Sequence, residues 1–367
     1  MTDTGDSQPG APGDSDDPVA AARAAVDAAG TPVESGRALV ALALACRAAG
    51  GAVEAAEAAG RAVAALHQAQ QPVAAARAQR LAADCLADAD HHEDALALLK
   101  RARRVFVDDD RRGPDAAGCE VAAARSLRAI GRPVEARRAL HRAEQAYEAV
   151  GMPVRAAVCA LDRAVLLHDE GEVAEAVALL AGARATFLGH RRPDLAAVSD
   201  FDLGVALLDN GQADDAIERL LSARGIFSSL ARRADEAACD LNMGVALHAV
   251  GRSDEARNAL RRARGAFRDL GRDRDAEQAE HDLDVLDGLV DPDTAELSVL
   301  RDLGEVPADV DVLAARLPEA STETPAVDAP GSGGGAPGTA DDAADTGGDR
   351  SDQGELTLPG LRPDPPA

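Results

Sequence analysis

Apolar positions recur at steps of four and three through the middle of the chain. They run Ala136, Leu140, Ala143, Tyr147, Val150, then Ala216, Leu220, Ala223, Phe227, Leu230, then Ala256, Leu260, Ala263, Phe267, Leu270. Steps of that size keep side chains on one face of a helix. The segments carrying these stripes are themselves copies. Residues 191–230 and 231–270 are one unit written twice, with Gly204 and Gly244, Gly211 and Gly251, and Phe227 and Phe267 each forty residues apart. Leu66, Phe106, Tyr147, Phe187, Phe227 and Phe267 share one register, which takes four of the five Phe and the only Tyr. A large side chain alternating with small Ala fills the hole that small neighbours leave.

Breaks in the pattern mark the turns. Gly50, Asp90, Gly131, Gly171, Gly211 and Gly251 follow one another at 40 or 41 residues and predict a left-handed turn within each helix pair. Pro32, Pro72, Pro114, Pro153 and Pro193 stand at or near the start of the first helix of five pairs, where a missing N–H costs nothing. Six pairs result. A short helix over 18–29, with Asp17 as N-cap, covers one open end of the stack, and a polar helix over 272–289 covers the other. The expected organisation is a disordered acidic tail at 1–17, a helical repeat domain at 18–290, short helices within 291–317 (Pro292–Gly304 and Ala308–Leu317), and a disordered acidic tail at 318–367. Within the last, Glu355–Leu361 is the only apolar island; a chance cluster is favoured there over a docking motif.

Composition sharpens this picture to an all-α protein. Hydrophobic residues reach 46%, but aromatics are 2% and Trp is absent, so the apolar mass is Ala, Leu and Val. The formal charge of −25 lies mainly in the tails: 1–17 carries five Asp and no base, and 291–367 carries seventeen acids and four bases. Such tails favour solubility and repel nucleic acid and anionic membrane. No apolar run approaches the roughly 20 residues of a membrane span, and the first residues lack the features of a secretory signal, so a cytoplasmic location is expected.

Reaction chemistry is not written into the chain. The cysteines, Cys46, Cys85, Cys119, Cys159 and Cys239, form no CxxC pair, and three of them share a small-residue register with Ser199. Equivalent positions on stacked helices lie about 8–10 Å apart, too far for a disulfide. The eight His include no HExxH, and no phosphate-binding or nucleophile-elbow motif occurs. No metal, no cofactor and no catalytic residue is expected. Arg184, Arg224 and Arg264 form a forty-residue row on the second helices. A solvated outer face paired with local acids is favoured over a basic ridge for a partner, each pair contributing roughly 0.3–0.5 kcal/mol.

Leu203-Gly204, Leu207, Gly211, Ala216, Leu220 and Ala223, repeated as Met243-Gly244, Leu247, Gly251, Ala256, Leu260 and Ala263, resemble the tetratricopeptide repeat (TPR). At forty residues the unit is similar to the long-helix branch seen in kinesin light chains, adaptors of the LGN/Pins type and bacterial peptide-sensing regulators. The resemblance spans about 33–290 and implies a right-handed superhelix whose concave groove is lined by the first helices. In that branch an Asn two residues before the Gly often binds the backbone of an extended peptide. Here the position holds Asp162, Asp202, Asn242 and Asp282, but Ala41, Leu81 and Ala122 in the earlier pairs. His168, Asp169, Asp209 and His248 fall about one turn further along the same face. The Lys and Arg with which chaperone-binding members clamp a terminal carboxylate have no counterpart at those places.

The resemblance and the missing chemistry together point to a non-enzymatic protein-interaction scaffold or adaptor. Its partner is another protein or peptide, basic by charge complementarity with an acidic groove. The competing assignment for Asp162, Asp202 and Asp282 is plain capping or solvation of helix surfaces. An alternative class is a regulator that responds to a peptide or small molecule, and an enzyme is the least favoured. No nucleic acid or membrane partner is expected, and exposed repeat ends permit self-association.

Overall fold

The computed structural model describes residues 17–108, 113–289, 297 and 299–301. All of them belong to one of the chain's two compact units; the other, Pro307–Thr357, lies outside the described residues. So do both terminal tails, the 308–317 helix expected from sequence and the Glu355–Leu361 island. Among the described residues there are fourteen α-helices and no strand. The helix α1 spans Pro18–Ala28, and Asp17 caps it by accepting the Val19 N–H at 2.9 Å. Six pairs follow: α2 (Pro32–Ala48) with α3 (Ala52–Gln68), α4 (Pro72–Asp88) with α5 (His92–Val107), α6 (Gly113–Ala129) with α7 (Pro133–Ala149), α8 (Pro153–Asp169) with α9 (Val173–Gly189), α10 (Pro193–Asp209) with α11 (Ala213–Ser229), and α12 (Arg233–Ala249) with α13 (Ser253–Asp269). The last helix, α14, is Asp273–Leu286.

Helix packs on helix in strict chain order, as a stack of pairs requires. Beyond these chain neighbours, further contacts from one pair to the next run between even-numbered helices: α2 with α4, α4 with α6, α8 with α10, and α10 with α12. Helices that crowd in this way occupy the inner side of a curved stack. Within a pair, small residues on the even-numbered helix let its odd-numbered partner approach closely. A Cβ built on Gly204 would lie 2.6 Å from Leu220 Cγ, and one on Gly244 would lie 2.6 Å from Leu260 Cγ. The register of large side chains is the core: Phe106, Phe187, Phe227 and Phe267 are at most 1% exposed, and Leu66 and Tyr147 are 4% exposed. The stripe is shorter than its spacing suggests. Val150, Leu230 and Leu270 are 42%, 44% and 38% exposed. Each is the C-cap of its helix, where the chain leaves the helical path and carries the side chain off the buried face.

The turns within pairs take the left-handed conformation that their residues foretell, from Asp90 at φ 63° to Gly171 at φ 85°. The turns between pairs do the same without the same marking. Gly151 and Gly271 are joined there by Gln70, Arg191 and Ala231 at φ 54–56°. Both sets close the helix through one bond pattern. Gln212 N–H donates to Leu207 O at 2.8 Å and Gly211 N–H to Leu208 O at 2.9 Å; Arg232 and Ala231 do likewise to Phe227 and Ser228. Beside Ala231 and Gly271 an arginine–ring contact supports the turn. Arg232 lies over the Phe227 ring at 4.7 Å and Arg272 over Phe267 at 5.2 Å, and each also pairs with an Asp one turn on, Asp235 or Asp275.

Ala231→Gly should therefore raise stability by about 1 kcal/mol by releasing a left-handed Ala, and Gly244→Ala should lower it by about 1–3 kcal/mol through the clash with Leu260. Urea unfolding of the two variants checks both signs.

Candidate functional site

The even-numbered helices carry the four positions at which the resemblance implies contact with a peptide backbone. Asp162 on α8 and Asp202 on α10 are half-buried, while Asn242 on α12 and Asp282 on α14 are fully buried. Asn242 is held by a segment of the chain itself. Its Nδ2 donates to the Leu300 carbonyl at 2.8 Å, and the Leu300 N–H donates to its Oδ1 at 2.8 Å. One residue can offer N–H and C=O to the same side only when its backbone is extended, as in the doubly bonded pairs of antiparallel strands. The carboxamide thus acts as a one-residue neighbouring strand. Leu297 and Val299–Arg301 accordingly carry no helix, which corrects the helix expected over Pro292–Gly304 at the four described residues. Satisfying a buried Asn outweighs the local helical tendency of the segment.

The next residue enters the acidic part of the groove. Arg301 pairs with Asp209 at 2.8 Å, and His168 Nε2 lies 2.7 Å from the same Asp209 oxygen. Arg301, His168, Asp169, Asp202 and Arg128 line a cavity of about 260 Å3, with Val165 and Val205 among its apolar walls. Of the eight positions expected from sequence, five therefore meet this segment: Asn242 and Asp209 by contact, and His168, Asp169 and Asp202 around the cavity that Arg301 enters. Asp162, Asp282 and His248 do not line that cavity. Arg128 does, a base that sequence reasoning had not placed there, and Leu300 and Arg301 were missed as groove residues. A signal existed: Arg301 is the first Lys or Arg after Arg274, and it follows directly on the apolar pair Val299-Leu300.

Neither a family model nor a curated protein sequence matches the chain. Solved structures do. The chain is similar to BtubC (BKLC) from P. vanneervenii, 19% identical over 61% of this chain and 91% of that one, with a TM-score of 0.53. It is similar to the apo quorum sensor NprR from B. thuringiensis, 11% identical over 71% and 72% of the two chains, with a TM-score of 0.55. It is also similar to a STAND ATPase with a tetratricopeptide-repeat sensor from Pyrococcus horikoshii, 12% identical over 70% of this chain and 39% of that one, with a TM-score of 0.57. The fold is that of a tetratricopeptide-repeat solenoid. Among the described residues, no helix of this TPR stack is long and apolar enough to cross a membrane.

The TPR arginine row faces acids, three of which are buried. Arg184 pairs with Asp200 at 2.6 Å, Arg224 with Asp240 at 3.0 Å, Arg264 with Glu280 at 2.9 Å, and Arg103, in the same register, with Glu120 at 2.6 Å. Asp200 and Asp240 are 1% and 3% exposed. A second cation reaches three of these acids from the following odd-numbered helix: Arg142 to Glu120, Arg219 to Asp200 and Arg262 to Asp240. Where Ala160 replaces the acid on α8, the polarity reverses, and Glu144 on α7 pairs with Arg163 on α8. The pairing expected from sequence is present, and the arginines and Glu280 keep partial access to solvent, while Glu120, Asp200 and Asp240 are buried beneath them. Because buried acids lose hydration, removing one arginine costs more than the surface-pair figure allows. Asp240 and Asn242 stand two residues, about 200°, apart on α12, so this seam faces away from the groove.

All five cysteines are buried free thiols. Cys119, Cys159, Ser199 and Cys239 fill the small-residue slot expected for them, each at most 1% exposed. Burial pushes the Cys85 and Cys119 thiols up from 9.0 to about 12 and Cys239 well up as well. Iodoacetamide at pH 9 should leave these three unlabelled in the native chain and label them within minutes in urea, as mass spectrometry would show. Because the protonated thiol is the form favoured by folding, stability should fall as pH rises from 9 toward 12.

Proposed function

We propose that the TPR stack is a non-catalytic scaffold that binds an extended segment of a partner protein on its even-numbered helices. The paired hydrogen bonds between Asn242 and the Leu300 main chain carry this reading, because they depend on backbone conformation and accept many sequences. Asp202, Asp209 and Asp169 add the preference for a basic partner, since each places a carboxylate at or beside the groove. Asp162 and His248 extend the same face toward neighbouring repeats and would contact a longer segment, whereas Asp282 is buried.

The likeness to the quorum sensor NprR supports a second reading, in which the bound segment is a signal and the stack a regulator. X-ray scattering with and without peptide separates the two, since a regulator changes curvature on binding and a static adaptor does not.

In fluorescence anisotropy with the full chain, labelled Arg-rich peptides should bind and Glu-rich peptides should not. Asn242→Ala should weaken binding about 10- to 100-fold through the loss of two main-chain bonds. Tighter binding of the acidic set would overturn the proposal.

A further inference from the structure

We infer that Leu300 and Arg301 form a resident occupant of the groove, and that the partner they keep out presents the same chemistry: an extended main chain with an arginine directly after the residue held by Asn242. This rests on the scaffold reading and names the ligand class and the control of that same site.

Three observations carry it. The bonds at Asn242 go to main-chain atoms, so any extended chain could replace Leu300 there. The following side chain is the one that is read. Arg301 meets Asp209 at 2.8 Å in a cavity that also presents Asp169 and Asp202, and an acidic residue at that place would face three carboxylates with Arg128 as the one arginine of the groove wall beside it. The contacts also set a direction. The segment passes from Asn242 on α12 to Asp209 at the end of α10, whose oxygen is shared with His168 at the end of α8. A partner entering in the same polarity would place its next residues over the earlier repeats.

The occupant is tethered. Leu300 comes fourteen residues after α14 ends at Leu286, and a connection that short holds the segment at an effective concentration on the order of millimolar. A segment with an affinity of about 100 µM in trans would then suppress an external competitor about tenfold. The contacts are few and partly exposed, with the Arg301 side chain 53% accessible, so the segment is displaceable. The TPR stack is thereby tuned to partners that bring a better arginine-bearing segment or several linked contacts.

The test uses the full chain and a fluorescein-labelled peptide copying Glu296–Asp302. Arg301→Glu and Leu300→Pro alter the segment outside the helices and leave the groove intact. Leu300→Pro removes the N–H that Asn242 accepts, and Arg301→Glu sets a carboxylate against Asp209. Each variant should bind the peptide at least about tenfold more tightly than the unaltered chain. A peptide with Glu in place of Arg should bind the Arg301→Glu chain at least tenfold more weakly than the native peptide does. Equal affinity of the native peptide for all three chains would overturn the resident-occupant inference alone. Equal affinity of the Arg and Glu peptides would overturn the ligand class. Failure of the native peptide to bind any of the chains would overturn the scaffold reading with it.

Discussion

How close one helix can come to the next governs everything else in this protein. Gly204 and Gly244 leave room for Leu220 and Leu260, and a Cβ at either place would sit 2.6 Å from the leucine Cγ. Ala at most other facing positions extends the same close approach along each pair. Close packing of small residues leaves holes, and one large side chain per pair fills them. Phe187, Phe227 and Phe267 are wholly buried for that reason. A core of this kind has few aromatics and still loses little contact, because dispersion depends on fit at short range.

Such a core is nearly the same in every repeat, which raises a problem of register. Alanine and leucine stripes slipped by a repeat or a turn would bury almost the same apolar surface. The acid–arginine seam removes that freedom. Glu120, Asp200 and Asp240 are buried with a cation from the preceding odd-numbered helix and another from the following one. A slipped arrangement would bury at least one carboxylate without a cation, at a cost of several kcal/mol. The reversal at Glu144 and Arg163 makes that junction incompatible with its neighbours' partners. The apolar stripe supplies the attraction, and the seam decides which pair follows which.

The groove lies on the opposite side of the same helices, so its chemistry is independent of the seam. There the polar groups point away from the core toward whatever lies along the inner curve, and a carboxamide meets a main chain. Under the proposed function, binding through main-chain atoms would make the site tolerant of sequence, and the carboxylates around Arg301 would make it selective for charge. Tolerance in one contact and selectivity in the next would suit the proposed recognition of a short unstructured segment, whose ordering entropy limits what each contact can contribute.

Much of this was legible along the chain. Period, helix pairing, the buried register of rings and the left-handed turns at Gly50 through Gly251 follow from local rules: side chains recur on a helical face, and Gly or Asp stands where φ is positive; the Asn242 position came from the resemblance to long-helix repeats. Three features were not. Gln70, Arg191 and Ala231 adopt a left-handed turn that their residue types disfavour, because the packing and, for Ala231, an arginine over the neighbouring ring hold it. Asp200 and Asp240 look like surface acids in sequence and are buried, because their cations come from helices on either side. Leu300 and Arg301 look like the start of an acidic tail and lie in the groove, because Asn242, fifty-eight residues away, completes the Leu300 hydrogen bonds and Asp209 pairs with Arg301. Periodicity reports what a residue does within its own helix; contacts between distant segments are settled only when the stack brings them together.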